Sequence, residues 1–166
     1  MAAGATYEPI ATITLGSAQS SITFSSISGT YTDLILITSA KNDSSANSHI
    51  TLRFNSDSGS NYSSTYMYGT GSGTGTSACE ASQTYGFIAR HDGTEYAVGT
   101  THIQNYSNTT IYKSVLSRGG NAGTITQAFV TLWRSTSAIT SMVLYPTSAS
   151  NFASGSSFTL YGVSAA

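Results

Sequence analysis

Charge is what this chain has least of. Of its 166 residues, Lys and Arg number six and Asp and Glu seven, 8% together, against about a quarter in an average soluble protein. The net charge is −1 and the six cations are scattered. A nucleic-acid backbone requires an electropositive stripe, so nucleic-acid binding is not expected. Lysine occurs only as Lys41 and Lys113, so binding to any partner should depend weakly on salt. Cys79 stands alone, which rules out an internal disulfide and a cysteine-based zinc site. No run of about 18 apolar residues occurs, and "MAAGATYEPIA" at the N-terminus has no basic segment followed by an apolar one. Neither a signal peptide nor a membrane span is expected.

Short polar residues stand where charge would. The chain is 39% hydrophobic and carries 30 Ser and 25 Thr. Such side chains lose little rotamer entropy when ordered and pair well across strands. Period-two patterns run almost throughout, as in "ATITLG", "TDLILIT", "HITLRF", "TYMYG", "THIQNY", "AFVTLWR" and "SFTLYGV", separated by Gly, Ser, Asn and Asp clusters. They predict an all-β chain of about ten short antiparallel strands with no significant helix. In "AFVTLWR", Phe129, Thr131 and Trp133 share one face and Val130, Leu132 and Arg134 the other, while "TDLILIT" is apolar on both. Two sheets packed face to face, with a further contact outside, account for such strands. The expected fold is a single β-sandwich domain over 1–166, jelly-roll in topology, with Trp133, Phe54, Leu36 and Phe158 in its core. A flexible Gly/Ser/Thr loop is expected over about 69–83, where "GTGSGTGTSACEASQ" alternates glycine with small polar residues.

One stretch has the look of a metal loop. "RFNSDSGSNY" sets Asn55, Asp57, Gly59 and Asn61 at every second position, and a calcium ion takes six to eight oxygens, usually with two or more carboxylates. Only Asp57 supplies one here, with Asp43 or Asp92 as candidates to join it in space. The competing expectation is a hairpin turn in which Asn and Asp bond their own backbone and Gly59 is left-handed. No cofactor is expected beyond calcium at Asn55, Asp57 and Asn61.

Catalytic signals are sparse, and no catalytic residue is assigned. His49, His91 and His102 are the only histidines. "GTGSGTG" does not place Ser72 at a strand-to-helix elbow, and its glycines lack phosphate-binding spacing. The four Asn-x-Ser/Thr matches are what a Ser/Thr-rich chain produces by chance. A non-enzymatic role is therefore expected. Uncovered strand edges and eleven tyrosines favour symmetric assembly with further copies.

Six stretches carry a family resemblance: "YEPIATITLGS", "SITFSSISGTYTDLILI", "LRFNSDSGSNYSSTYMYG", "NYSNTTIYKSVLSRGG", "LWRSTSAITSMVLYP" and "NFASGSSFTLYGV". Together they resemble small virion structural proteins of tailed bacteriophages, frequent in phages of aquatic bacteria and in cyanophages. The resemblance runs from about Tyr7 to Val163 and is thinnest over 69–101. It implies a place on the surface of a phage particle, after synthesis in the bacterial host cytoplasm, and supplies no catalytic residues. A capsid decoration, or cement, protein is the first function it implies, a trimer bound to the major capsid protein or other virion proteins. The alternative is a tail-fibre or receptor-binding module for host surface carbohydrate, with Trp133, Tyr66, Tyr68 and Asn61 as interface or glycan candidates.

Overall fold

Alternation of side chains between two faces organises the whole chain. In a computed structural model, which describes residues 6–45, 47–73, 75–91, 95–121, 123–148 and 150–164, twelve strands form two antiparallel sheets. They are β1 (Tyr7–Thr14), β2 (Ile22–Phe24), β3 (Asp33–Ala40), β4 (Ser48–Phe54), β5 (Tyr62–Gly69), β6 (Thr76–Gln83), β7 (Gly86–His91), β8 (Ala97–Gln104), β9 (Lys113–Asn121), β10 (Ile125–Trp133), β11 (Met142–Pro146) and β12 (Ser157–Val163). The larger sheet runs β1-β12-β3-β8-β9-β10-β5-β6 and the smaller β2-β11-β4-β7. The described residues contain no helix.

The sandwich is as expected, with unequal sheets of eight and four strands where the simplest jelly roll divides eight strands between two. Its core is the inner face of each sheet. Leu34 and Leu36 of β3, Phe158 and Leu160 of β12, and Phe129 and Trp133 of β10 meet Ile50, Leu52 and Phe54 of β4 with Met142 and Leu144 of β11, all buried. The four residues expected in the core are there. At about 25 cal/mol per Å² of apolar surface removed from water, each contributes on the order of 1.5–3 kcal/mol.

The expected flexible loop over 69–83 is largely a strand. Residues Thr76–Gln83 form β6, paired antiparallel with β5 from Tyr68↔Thr76 to Tyr62↔Gln83. Small alternating side chains suit an edge strand as well as a linker, and the ladder with β5 decides between them. The connection shrinks to 70–75, with Gly71 left-handed at φ 75° and Thr74 outside the described residues.

The "RFNSDSGSNY" stretch is a turn. Asn55 and Ser56 have φ of 51° and 58°, and the Asp57 N–H donates to the Phe54 carbonyl at 2.8 Å. Two left-handed central residues make this a type I′ turn, but it joins β4 of the smaller sheet to β5 of the larger and so is not the expected hairpin. Gly59, expected to be left-handed, is not among the positive-φ residues. It is glycine for space: a Cβ there would lie 2.8 Å from Asn61 Nδ2 and 3.1 Å from Asp57 Oδ1.

Candidate interaction face and groove

Asp57 is the centre of that turn. Its Oδ1 accepts the Gly59 N–H at 2.8 Å, and its Oδ2 accepts Asn61 Nδ2 at 2.9 Å and Trp133 Nε1 at 2.7 Å. Burial acts to raise its pKa, and the Trp133, Asn61 and Gly59 donors with the nearby Arg53 charge outweigh it, holding the carboxyl below its ordinary value. Asn55 faces the other way, its Oδ1 accepting the N–H groups of Thr140 at 2.9 Å and Ser141 at 3.2 Å and its Nδ2 donating to the Ala138 carbonyl at 2.7 Å. Asp57 and Asn55 therefore spend their side-chain oxygens on N–H donors, and Asn61 joins them as a donor, a set suited to fastening a turn to the core. Asp43 is occupied by Asn151, whose backbone and side-chain N–H groups donate at 2.9 and 2.7 Å. Asp92 lies outside the described residues. We expect a chelator such as EDTA to leave the melting temperature unchanged; a drop reversed by added calcium would show that an ion joins this turn.

The four residues expected at a glycan or interface site do not converge on open surface. Trp133 is 1% exposed, its ring stacked on Tyr62 at 6.2 Å between centroids, so it cannot receive a sugar. Asn61 meets it only through Asp57. Tyr66 and Tyr68 project from the inner face of β5 further along, half-buried: Tyr66 stacks on Phe129 at 5.1 Å, and the Arg90 guanidinium sits 4.6 Å from the Tyr68 ring centre. Arg134, which shares the outer side of its strand with Val130 and Leu132, donates to Ser63 Oγ at 2.9 Å.

The open surface is the outer face of the eight-stranded sheet. Register places Tyr161, Ile35, His102, Leu116, Val130 and Thr65 in one cross-strand row, and Thr159, Ile37, Thr100, Arg118, Ala128 and Met67 in the next. Leu116 keeps 49% of its surface, Met67 62% and Val98 55%, with Ile37, Val130 and Leu132 at 40–43%. Six half-exposed aliphatic side chains come to roughly 500 Å², at the upper end of what a typical monomer leaves open. The outward side chains of β3, β8, β9 and β10 include only three that carry or acquire charge: Asp33, His102 and Arg118. The apolar outer row anticipated from "AFVTLWR" and "TDLILIT" is thus present, and none of the described residues covers it.

At the β1 side of this face lies an open groove of about 540 Å³, within the size range of small-ligand sites. Ile35, Ile37 and Leu116 form its floor, and Tyr7 and Tyr161 flank it. His102 Nε2 and Asp33 Oδ2 are 2.8 Å apart, and Asp33 Oδ1 accepts the Asn105 N–H at 2.7 Å. A carboxylate on Nε2 selects the tautomer with its hydrogen there, leaving Nδ1 of the neutral ring as an acceptor. Among the described residues no serine or threonine hydroxyl bonds His102, so the pair lacks an attached nucleophile. The guanidinium of Arg118, also in the groove, makes no hydrogen bond or ion pair among the described residues. Sequence reasoning missed this cluster. Alternation does send Asp33, Ile35 and Ile37 to one side of β3 and His102 to one side of β8, but only the register Ile35↔His102↔Leu116 brings them together.

Comparison of the chain with family models, curated proteins and solved structures returns no match.

Proposed function

We propose that this chain is a non-enzymatic structural protein of a tailed-phage virion, a capsid decoration protein that stabilises the head shell through symmetric protein contacts. The observation that supports it is the broad, apolar, weakly charged outer face of the eight-stranded sheet. A docking surface depleted in charge and supplied with aliphatic and tyrosyl side chains matches the composition of interface cores. Symmetry multiplies a modest contact over many copies. Immunogold labelling of intact particles with an antibody against the chain tests the proposal by electron microscopy. Gold spread over the heads is the expected result, and gold confined to the tail would refute decoration.

One observation favours a second reading, a receptor-binding module for host surface carbohydrate: the groove over Asp33 and His102. Tyrosine rings beside an apolar floor, an imidazole acceptor and a free guanidinium suit a sugar bearing a carboxylate. On this reading Arg118→Ala weakens binding to acidic oligosaccharides at least about tenfold, the loss expected for a charge-assisted hydrogen bond, and His102→Ala about two- to tenfold, the loss expected for a neutral one. Equal binding by wild type and both variants on a glycan array would remove the groove from consideration.

A further inference from the structure

Four strands have a neighbour on one side only: β1 and β6 in the larger sheet, β2 and β7 in the smaller. An open edge offers unpaired N–H and C=O groups to any passing chain unless it is short, bulged, covered, or interrupted by proline or charge. Three of the four edges are so treated. β2 has three residues. β1 contains Pro9, and its register with β12 shifts between Pro9 and Ala11. β7 is covered by side chains from the opposite sheet: Gln127 Oε1 accepts the Arg90 N–H at 2.8 Å and Gln127 Nε2 donates to the Arg90 carbonyl at 2.9 Å. In the same way Ser64 Oγ accepts the Phe87 N–H at 3.1 Å and Thr131 Oγ1 donates to the Phe87 carbonyl at 2.6 Å.

Among the described residues, β6 has none of these protections over Thr76–Cys79, and charge enters only at Glu80. It contains no proline and no cation. Its one irregularity comes later, where the register with β5 shifts and Ser82 is left-handed at φ 54°. Beyond the ladder with β5, the hydrogen bonds its residues make among the described residues are those of the Gln83 side chain to Glu80 and Ala81.

We propose that β6 is an assembly edge, pairing antiparallel with β6 of a second copy about a two-fold axis so that two eight-stranded sheets become one. An antiparallel edge is its own complement under such an axis, so a second copy satisfies it without a separate partner. With the axis at Ala78, Glu80 faces the partner's Thr76 and Cys79 faces the partner's Ser77, so no like charges oppose each other and, apart from Glu80, only small side chains meet. The contact leaves the outer face and its groove free. It builds a dimer where the sequence led to an expected trimer.

Light scattering on the purified chain at micromolar concentration should give twice the chain mass. The paired substitutions Ser77→Lys and Cys79→Lys, both at exposed positions, should return a monomer with an unchanged circular-dichroism spectrum. A monomeric or trimeric wild type, or a dimer that survives both lysines, would overturn the pairing. A nitroxide on Cys79, the chain's only cysteine, supplies a measurement free of substitutions. The register above sets the two Cys79 Cα atoms about 8 Å apart, so the spectrum should show strong dipolar broadening that disappears on dilution with unlabelled chain; a sharp spectrum from a dimer would place the contact elsewhere. The pairing and the virion role fail separately: a monomer that labels phage heads sinks only the first, and a β6 dimer absent from particles sinks only the second.

Discussion

Replacing Asp57 by alanine should lower the melting temperature by about 5–12 °C and flatten the acid side of the stability profile. The substitution removes the acceptor of three donors, of which Trp133 Nε1–H belongs to a buried ring and cannot turn to water. A buried donor left unmet costs about 1–3 kcal/mol, and loosening the Gly59 and Asn61 contacts raises the total to about 2–4 kcal/mol. For a chain of this size each kcal/mol moves the midpoint by about 2–4 °C. The pH dependence follows from the lowered pKa of the carboxyl. Because the folded value lies below the unfolded one, the stabilisation is complete above the unfolded value of about 3.9 and is lost as pH falls through the folded value. Asp43, also lowered, first by the Asn151 backbone N–H and then by its side chain, titrates in the same window and should keep a residual slope in Asp57→Ala. Thermal melts of both proteins between neutral pH and pH 2 decide the matter: parallel curves for wild type and variant would show that the Asp57 charge contributes nothing to folding.

The legible part of this fold was the part carried by alternation. Phe129, Thr131 and Trp133 face inward and Val130 and Leu132 outward because a strand offers no other arrangement, and one strand's residues suffice to show it. The same logic gave "RFNSDSGSNY" its two readings and could not choose between them. The choice rests on where Trp133 Nε1 and the Thr140 and Ser141 amides lie, 76 or more positions along the chain, and local spacing contains no record of that. Glycine is the usual left-handed residue, yet in this turn Asn55 and Ser56 take that conformation, while Gly59 gives way to the Asp57–Asn61 contact. The loop assigned to 69–83 failed for a related reason: "TSACEASQ" has no propensity strong enough to announce a strand, and pairing with β5 supplies what propensity lacks. Trp133 and the tyrosines drew attention as glycan candidates by residue type alone. The groove that the structure does present is built from β1, β3, β8, β9 and β12, and its composition became readable only once cross-strand register was known.

Gln127→Leu should destabilise the chain as severely as the loss of Asp57, with a different failure. Gln127 is an inward-facing polar residue on a strand whose other inward positions include Ile125, Phe129 and Trp133, and by pattern alone leucine would suit it better. Its amide, however, bonds both the N–H and the C=O of Arg90 on the edge of β7. Leucine fills a similar volume and gains apolar burial, but it leaves an N–H and a C=O unmet beneath the larger sheet, at a cost of about 2–4 kcal/mol. It also reopens the β7 edge, so association of partly unfolded chains should rise with concentration. Thr126→Leu, one residue away on the outer side of the same strand, changes volume without touching that edge and should stay within about 0.5 kcal/mol of wild type. Melting and light scattering on the two variants separate the ideas. If Gln127→Leu melts with wild type and stays dispersed on refolding, the β7 edge does not need its cover, and the contrast that singles out β6 as the one edge left open for assembly loses its force.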